Sequence, residues 1–198
     1  MSDTWVIVGL GNPGAEYAGT RHNLGHDVIG VLADRMGVRL KRHRGIAHIG
    51  EGRVGIGASG GPGPRCVIAT LQCFMNVSGG PTKQLLDYFH VDATARLLVV
   101  HDELDLEAHD IRLKRGGGEG GHNGLRSISQ ALGTRDYARL RLGIGRPPGR
   151  QDPADYVLGK IAPKQRADWE VTFERAADVC VDVVTSDFAA AQQRLHTA

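Results

Sequence analysis

The first apolar block of the chain, Trp5 to Leu10, has Val6-Ile7-Val8 at its centre and predicts a short buried strand. The period then changes. Leu24, Val28, Val31, Leu32 and Met36 recur at helical spacing, which predicts a helix from about His22 with Gly37 placed to end it. Residues 46 to 57 and 65 to 71 read as two strands joined by Ser59-Gly60-Gly61-Pro62-Gly63-Pro64, a composition suited to a turn. A helix is predicted over Gly80 to Phe89, a fully buried strand over Arg96 to Val100 and another strand over Asp110 to Arg115. A helix over Leu125 to Leu132, closed by Gly133, and a strand over Ala138 to Ile144 follow. From Pro163 onward the chain reads as helical, because Trp169, Phe173, Ala176, Val179, Cys180 and Val183 form a stripe suited to core packing. Strands alternating with helices predict an α/β fold: a single globular domain over residues 1–198, with a mixed, mostly buried β-sheet flanked by helices and a helical C-terminal part from about residue 163.

Composition narrows the class. A chain of 198 residues, 41% hydrophobic, buries one good core. It has no apolar run long enough to span a bilayer, and Met1-Ser2-Asp3-Thr4 lacks the basic and apolar regions of a signal peptide, so a cytoplasmic location is expected. Cys66, Cys73 and Cys180 are odd in number and form no C-x-x-C pair, which indicates neither a disulfide framework nor a zinc site. The formal net charge is only +2, but residues 112 to 150 hold nine Lys and Arg against Glu119 and Asp136, and the tail beyond is acidic. A basic region facing a polyanion, or a plain solvated basic face, would both account for this.

Polar residues with catalytic potential fall where strands are expected to end. These are Asn12 and His22 after the first strand, Asn76 after the third, Asp102 after Arg96 to His101, and Asn123 in Gly120-Gly121-His122-Asn123-Gly124. Ligands bind at the carboxyl ends of strands in α/β sheets, so these five are expected to converge on one cleft. The chemistry they suit is hydrolysis: an imidazole takes a proton from water, a carboxylate fixes its tautomer, and amides hold the water or the developing oxyanion. The other histidines weighed (His26, His43, His48, His90, His101, His109 and His196) read as capping or turn residues.

Taken together, Gly9-Leu10-Gly11-Asn12-Pro13-Gly14 with Tyr17 and Thr20-Arg21-His22-Asn23, Phe74-Met75-Asn76-Val77-Ser78-Gly79, His101-Asp102-Glu103-Leu104-Asp105, and Gly121-His122-Asn123-Gly124-Leu125 closely resemble the bacterial peptidyl-tRNA hydrolase family. The four motifs occur in the family's order and the resemblance covers the chain from about Val6 to Lys160. It implies an esterase that releases peptide from the tRNA 3′ ribose without metal or cofactor, with peptidyl-tRNA as partner and a monomer as the working unit. By the same resemblance His22 is the catalytic base and Asp102 its orienting partner; Asn12, Asn76 and Asn123 bind substrate and water; Tyr17 and Phe74 line the cleft. Lys114 and Arg141 match the pair that holds the tRNA 5′ phosphate, which would explain the basic region.

Three rival readings remain open at this level. Cys73 stands where a hydroxyl residue is expected, and a thiolate beside His22 would make a cysteine hydrolase. A noncatalytic RNA-binding protein would use the basic region and the Gly116 to Gly121 loop without needing His22. Gly9, Gly11 and Gly14 satisfy G-x-G-x-x-G, but the helix is delayed and Arg39-Leu40-Lys41-Arg42-His43-Arg44 stands where a ribose-binding acid should close a second parallel strand, so a dinucleotide-dependent oxidoreductase ranks last. Glu119 is assigned no role.

Overall fold

The computed structural model describes residues 3–198; Met1 and Ser2, which begin the stretch read as lacking a signal peptide, lie outside them. The elements run β1 (Trp5–Gly9), α1 (Leu24–Met36), β2 (Lys41–His43), β3 (Ala47–Arg53), β4 (Arg65–Leu71), α2 (Gly79–Phe89), α3 (Ala93–Arg96), β5 (Leu97–Glu103), β6 (Ile111–Arg115), α4 (Asn123–Leu132), β7 (Ala138–Gly143), α5 (Pro153–Val157), α6 (Arg166–Thr185) and α7 (Phe188–Thr197). The seven strands form one sheet in the order β2-β3-β4-β1-β5-β7-β6. β4, β1, β5 and β7 are parallel, while β2, β3 and β6 join antiparallel at the two sides. The sheet is mixed and flanked by helices, as the alternating pattern predicts.

Period-two alternation divides the core between the two faces of this sheet. Ile7, Ile68, Leu98 and Leu140 face α1 and α6, where Leu24, Ile29, Leu32, Phe173 and Cys180 are buried. Val6, Val8, Val67 and Val99 face α2 and α4, against Leu85, Leu125 and Ile128. Each fully buried side chain of this size contributes roughly 1.5–3 kcal/mol, so the two layers dominate stability. The stripe predicted beyond Pro163 is the core face of α6, with Trp169, Phe173, Ala176, Cys180 and Val183 all buried.

Several boundaries differ from the sequence reading, each for a local reason. β2 is a short polar edge strand with no apolar alternation to reveal it. β5 runs on to Glu103, so Asp102, expected beyond the strand, lies within it opposite Leu142 of β7. α4 starts at Asn123 because the His122 side chain caps it, accepting from Gly124 N and Leu125 N. The helical tail breaks at Ser186, where Asp187 caps a separate α7 through Ala190 N. Among the described residues no helix is long and apolar enough to cross a membrane.

α1 lies so close to β1 that only glycine fits at the crossing. A Cβ on Gly9 would stand 2.2 Å from Gly25 O, and one on Gly25 2.4 Å from Leu10 N. This contact sets the height at which the loop after β1 delivers its side chains. Gly25→Ala should therefore destabilise the fold by about 3 kcal/mol, as overpacking against backbone does. Gly30, in the same helix with nothing within 4 Å of a Cβ, should gain up to about 1 kcal/mol as alanine. Urea unfolding midpoints of the two variants check the contrast.

Candidate active site

His22 sits in a single 3₁₀ turn, Arg21–Asn23, that leads into α1. The turn is braced from both sides. Arg21 N donates to Gly159 O at 3.0 Å, Ile161 N donates to Gly19 O at 2.9 Å, and the Arg21 guanidinium lies 4.2 Å from the centre of the Tyr156 ring. Asn23 then clasps the main chain of Asn12, accepting from its N–H and donating to its carbonyl, both at 2.9 Å. The Asn12 side chain in turn accepts from Met75 N at 2.7 Å. With Oδ1 held in this way, the Asn12 amide nitrogen is the end left to donate.

The centre of the site is Asp102, 3% exposed. His22 Nδ1 lies 3.0 and 2.9 Å from its two carboxylate oxygens, and His122 Nε2 lies 3.0 Å from Oδ1. The tautomers follow from the partners. His122 Nδ1 accepts from Gly124 N at 3.1 Å and Leu125 N at 3.3 Å, so its ring proton is on Nε2 and is donated to Asp102. His22 donates from Nδ1, which leaves Nε2 with a free lone pair.

A third imidazole, His101, donates from Nδ1 to the Asp102 carbonyl at 2.6 Å and packs edge-on to His122, ring centres 5.0 Å apart. Burial above all, then the nearby His122, pushes His101 down to about 3, so it is neutral.

Electrostatics agree with this geometry. Burial alone would lower the proton affinity of His22, but the charge and hydrogen bond of Asp102 outweigh it and leave the imidazole above its ordinary value. Burial would raise Asp102, yet the charges and hydrogen bonds of His22 and His122 hold it well below the usual carboxylate range. His22, Asp102 and His122 also offer donor atoms within 4.8 Å of one another, a spacing that a metal ion could use. The set fits hydrogen bonding better, because Nε2 of His122 is protonated whenever its Nδ1 caps α4.

His22, Asp102, His122 and Asn123 line one cavity of about 150 Å³, together with Glu103, Leu104 and the α5 residues Pro153, Ala154 and Val157. Asn12 lines a separate groove with Asn23, His26 and Gln72. Asn76 is exposed in the 3₁₀ turn that Asn12 holds at Met75. A Cβ on Gly124 would stand 2.5 Å from Met75 Sδ, so the loops carrying Asn76 and Asn123 are in contact. Tyr17 and Phe74 meet edge to face with ring centres 6.2 Å apart, and Phe74 is 56% exposed.

Three features escape the sequence reading. His122 stands beside Asn123, and histidine is not among the residue types that mark a helix N-cap in sequence, so its cap on α4 is seen only in the structure. The Asn23 clasp and the His101 bond to Asp102 join residues far apart in sequence or read only as capping, and no local pattern announces them. The Cys73 thiol is half-buried and pushed up by that burial, which disfavours the thiolate a nucleophile needs.

The peptidyl-tRNA hydrolase family model matches residues 6–198. A peptidyl-tRNA hydrolase of Kineococcus radiotolerans is 56% identical over 99% of this chain and 98% of its own length. One from an Arthrobacter species is 51% identical over 100% of this chain and 99% of its own. The chain belongs to the peptidyl-tRNA hydrolase family. The fold agrees: the crystal structure of the Acinetobacter baumannii peptidyl-tRNA hydrolase superposes with a TM-score of 0.85 at 34% identity, covering 98% of this chain and 95% of that one.

In this peptidyl-tRNA hydrolase family member the basic region is only partly free for a ligand. Arg112 pairs across the sheet with Arg141, and Lys114 with Arg139, so all four project from one face of β6 and β7. Arg139 is buried beneath the glycine loop and donates to the carbonyls of Gly117, Gly118 and Arg135. Arg135 pairs with Glu119 at 2.9 Å, which gives Glu119 a structural partner, and Arg146 pairs with Asp105. Arg141 reaches Glu103 at 3.5 Å, while Arg112 and Lys114 have no ion pair among the described residues.

His122→Ala should cost about 2–3 kcal/mol, because it removes a helix cap and leaves one oxygen of a buried carboxylate without its donor. His122→Asn, which keeps a capping side chain, should recover roughly half of that. Urea titrations of the two variants measure the difference.

Proposed function

We propose that this protein hydrolyses the ester joining a peptide to the 3′ ribose of tRNA, with His22 as general base on water. The observation that carries the reading is the His22–Asp102 pair: the ring lines the cavity, and Nδ1 is committed to Asp102, so Nε2 is the nitrogen left to take a proton. Water loses that proton as its oxygen attacks the ester carbonyl carbon. The bond to the ribose oxygen then breaks, and the leaving oxygen takes the proton back from His22. Asp102 stabilises the imidazolium in between.

Asn12, Asn76 and Asn123 are suited to hold the water and the developing oxyanion through their amide donors. Tyr17 and the exposed Phe74 offer apolar area beside them, which suits a peptide side chain or the terminal ribose and base. Lys114 and Arg141 share a sheet face with Arg112 and supply the charge for the tRNA 5′ phosphate. The proton balance closes on His22 alone, which carries the proton from water to the leaving ribose oxygen, so the proposed route uses no metal. The enzyme acts as a monomer in the cytoplasm, where its substrate arises. A noncatalytic RNA-binding role is not favoured, because it leaves the buried His22–Asp102–His122 network without a use.

His22→Ala should fold normally and lose roughly 10²–10⁴ in turnover, read as labelled peptide released from an N-blocked aminoacyl-tRNA. Near-parental release would sink the assignment.

The pH profile carries a second expectation. The free imidazole is the active form, so kcat/KM should fall as pH drops through the His22 pKa, which lies above the ordinary 6.5. Asp102→Asn removes the raising charge and leaves at most a weaker, neutral hydrogen bond against burial, which lowers. The acid limb should then move below 6.5 while the plateau drops. An acid limb that stays in place would mean that His22 is not the titrating base.

A further inference from the structure

The outermost strand of the sheet is closed on its free side by a helix. Leu113 N donates to His196 Nε2 at 3.1 Å, and Gln192 Nε2 donates to Leu113 O at 3.0 Å. One turn earlier along α7, the Phe188 ring lies 4.8 Å beneath the Arg115 guanidinium. Phe188, Gln192 and His196 are spaced by four residues and so form one stripe that follows β6. α7 is pinned in turn to α6, since Arg194 donates to Asp182 at 2.9 and 2.6 Å and to Ser186 at 2.7 Å.

A helix can shelter a sheet edge simply by lying over it. Here two side chains supply the donor and the acceptor that a neighbouring strand would supply to one residue. That residue lies between Arg112 and Lys114, whose side chains share a face with Arg141. Burial first, and then the charges of Arg112 and Arg141 that face it, lower the proton affinity of His196. This favours the neutral ring that Leu113 N requires.

We propose that the Phe188–Gln192–His196 stripe serves as a surrogate eighth strand that fixes β6, and that Gln192 and His196 are positioning residues that keep Lys114 and Arg141 at the separation a tRNA 5′ phosphate needs. The proposal rests on the phosphate-binding reading of Lys114 and Arg141. Without the stripe, β6 is paired along one side only, and the spacing of its cations across β7 is held less firmly.

The test compares peptidyl-tRNA bearing a 5′ phosphate with the same substrate bearing a 5′ hydroxyl. The Gln192→Leu/His196→Leu double variant should raise KM for the phosphorylated substrate by about tenfold, because two cationic side chains on a looser strand must then be ordered when the phosphate binds. It should keep kcat within about twofold, as expected for lost uniform binding, and should barely change KM for the hydroxyl substrate. Exchange of the Leu113 amide proton should quicken in parallel. His196→Gln places an acceptor oxygen at the reach of Nε2 and should restore KM, while Gln192→Leu alone provides a milder lesion should the double variant fail to fold.

Arg141→Ala, measured beside them, separates the two readings. If Arg141→Ala discriminates the phosphate but the double variant shows quickened exchange with unchanged KM, the surrogate strand has no part in RNA binding and the proposal falls while the phosphate site stands. If Arg141→Ala treats both substrates alike, the phosphate site falls and takes the proposal with it.

Discussion

A carboxylate almost cut off from water lies in the middle of the sheet's carboxyl edge, and most of the site can be understood as the means of keeping it charged there. Burying an isolated Asp102 would cost many kcal/mol or force it to protonate. It remains ionised because His22 and His122 both donate to it. Each donor is constrained in turn: His122 by the α4 N-terminus, His22 by the braced turn that leads into α1. The orientation of the imidazole that faces the cavity is thus a consequence of satisfying the carboxylate. Exchanging Asp102 for an apolar residue would remove the desolvation problem and, with it, the reason for His22 to present Nε2.

The loops that surround this carboxylate are brought together by close backbone approaches. Gly9 and Gly25 let α1 ride on β1, and Gly79 does the same for α2 on α4, where a Cβ would stand 2.1 Å from Ser127 O. Those two contacts set the positions of the turns carrying His22 and Asn76. The Asn23 clasp on Asn12, and the Asn12 bond to Met75 N, then couple the turns to each other. Packing sets distances to within an ångström or so; the asparagine bonds fix which atom of each amide is left to donate.

The chain states its main elements plainly because buried strands and amphipathic helices need different apolar periods, and β1, α1, β4 and α6 obey them over enough residues to be read. β2 escapes because Lys41, Arg42 and His43 stand at an edge where charge is favoured over apolar alternation. The break between α6 and α7 is hidden because apolar and helix-favouring residues continue past it, and only Asp187 marks the new start. For the site, polar residues at strand ends and a resemblance in four motifs both point to His22 and Asp102, and the structure places them in contact. It does not place every predicted residue in one cavity, since Asn12 lines a neighbouring groove. His122 escapes a sequence reading because its two contributions, capping α4 and donating to Asp102, are each visible only when both partners are in place.

The basic region shows how a correct charge count can mislead about where charge is available. Arg139 contributes to the excess in the sequence yet is 1% exposed and serves the fold by collecting carbonyls of the glycine loop over the Tyr137 ring. A guanidinium suits that task because its five donors can satisfy several backbone acceptors at once, which an ammonium's rotating point charge does less well. Its charge nevertheless reaches the same sheet face as Arg112, Lys114 and Arg141 and adds to the potential there. One residue thereby closes the loop beside the cavity and biases the neighbouring surface toward a polyanion. Fold and ligand preference are not separable at Arg139, and they are more nearly separable at Lys114, where no carbonyl or carboxylate among the described residues takes up the charge.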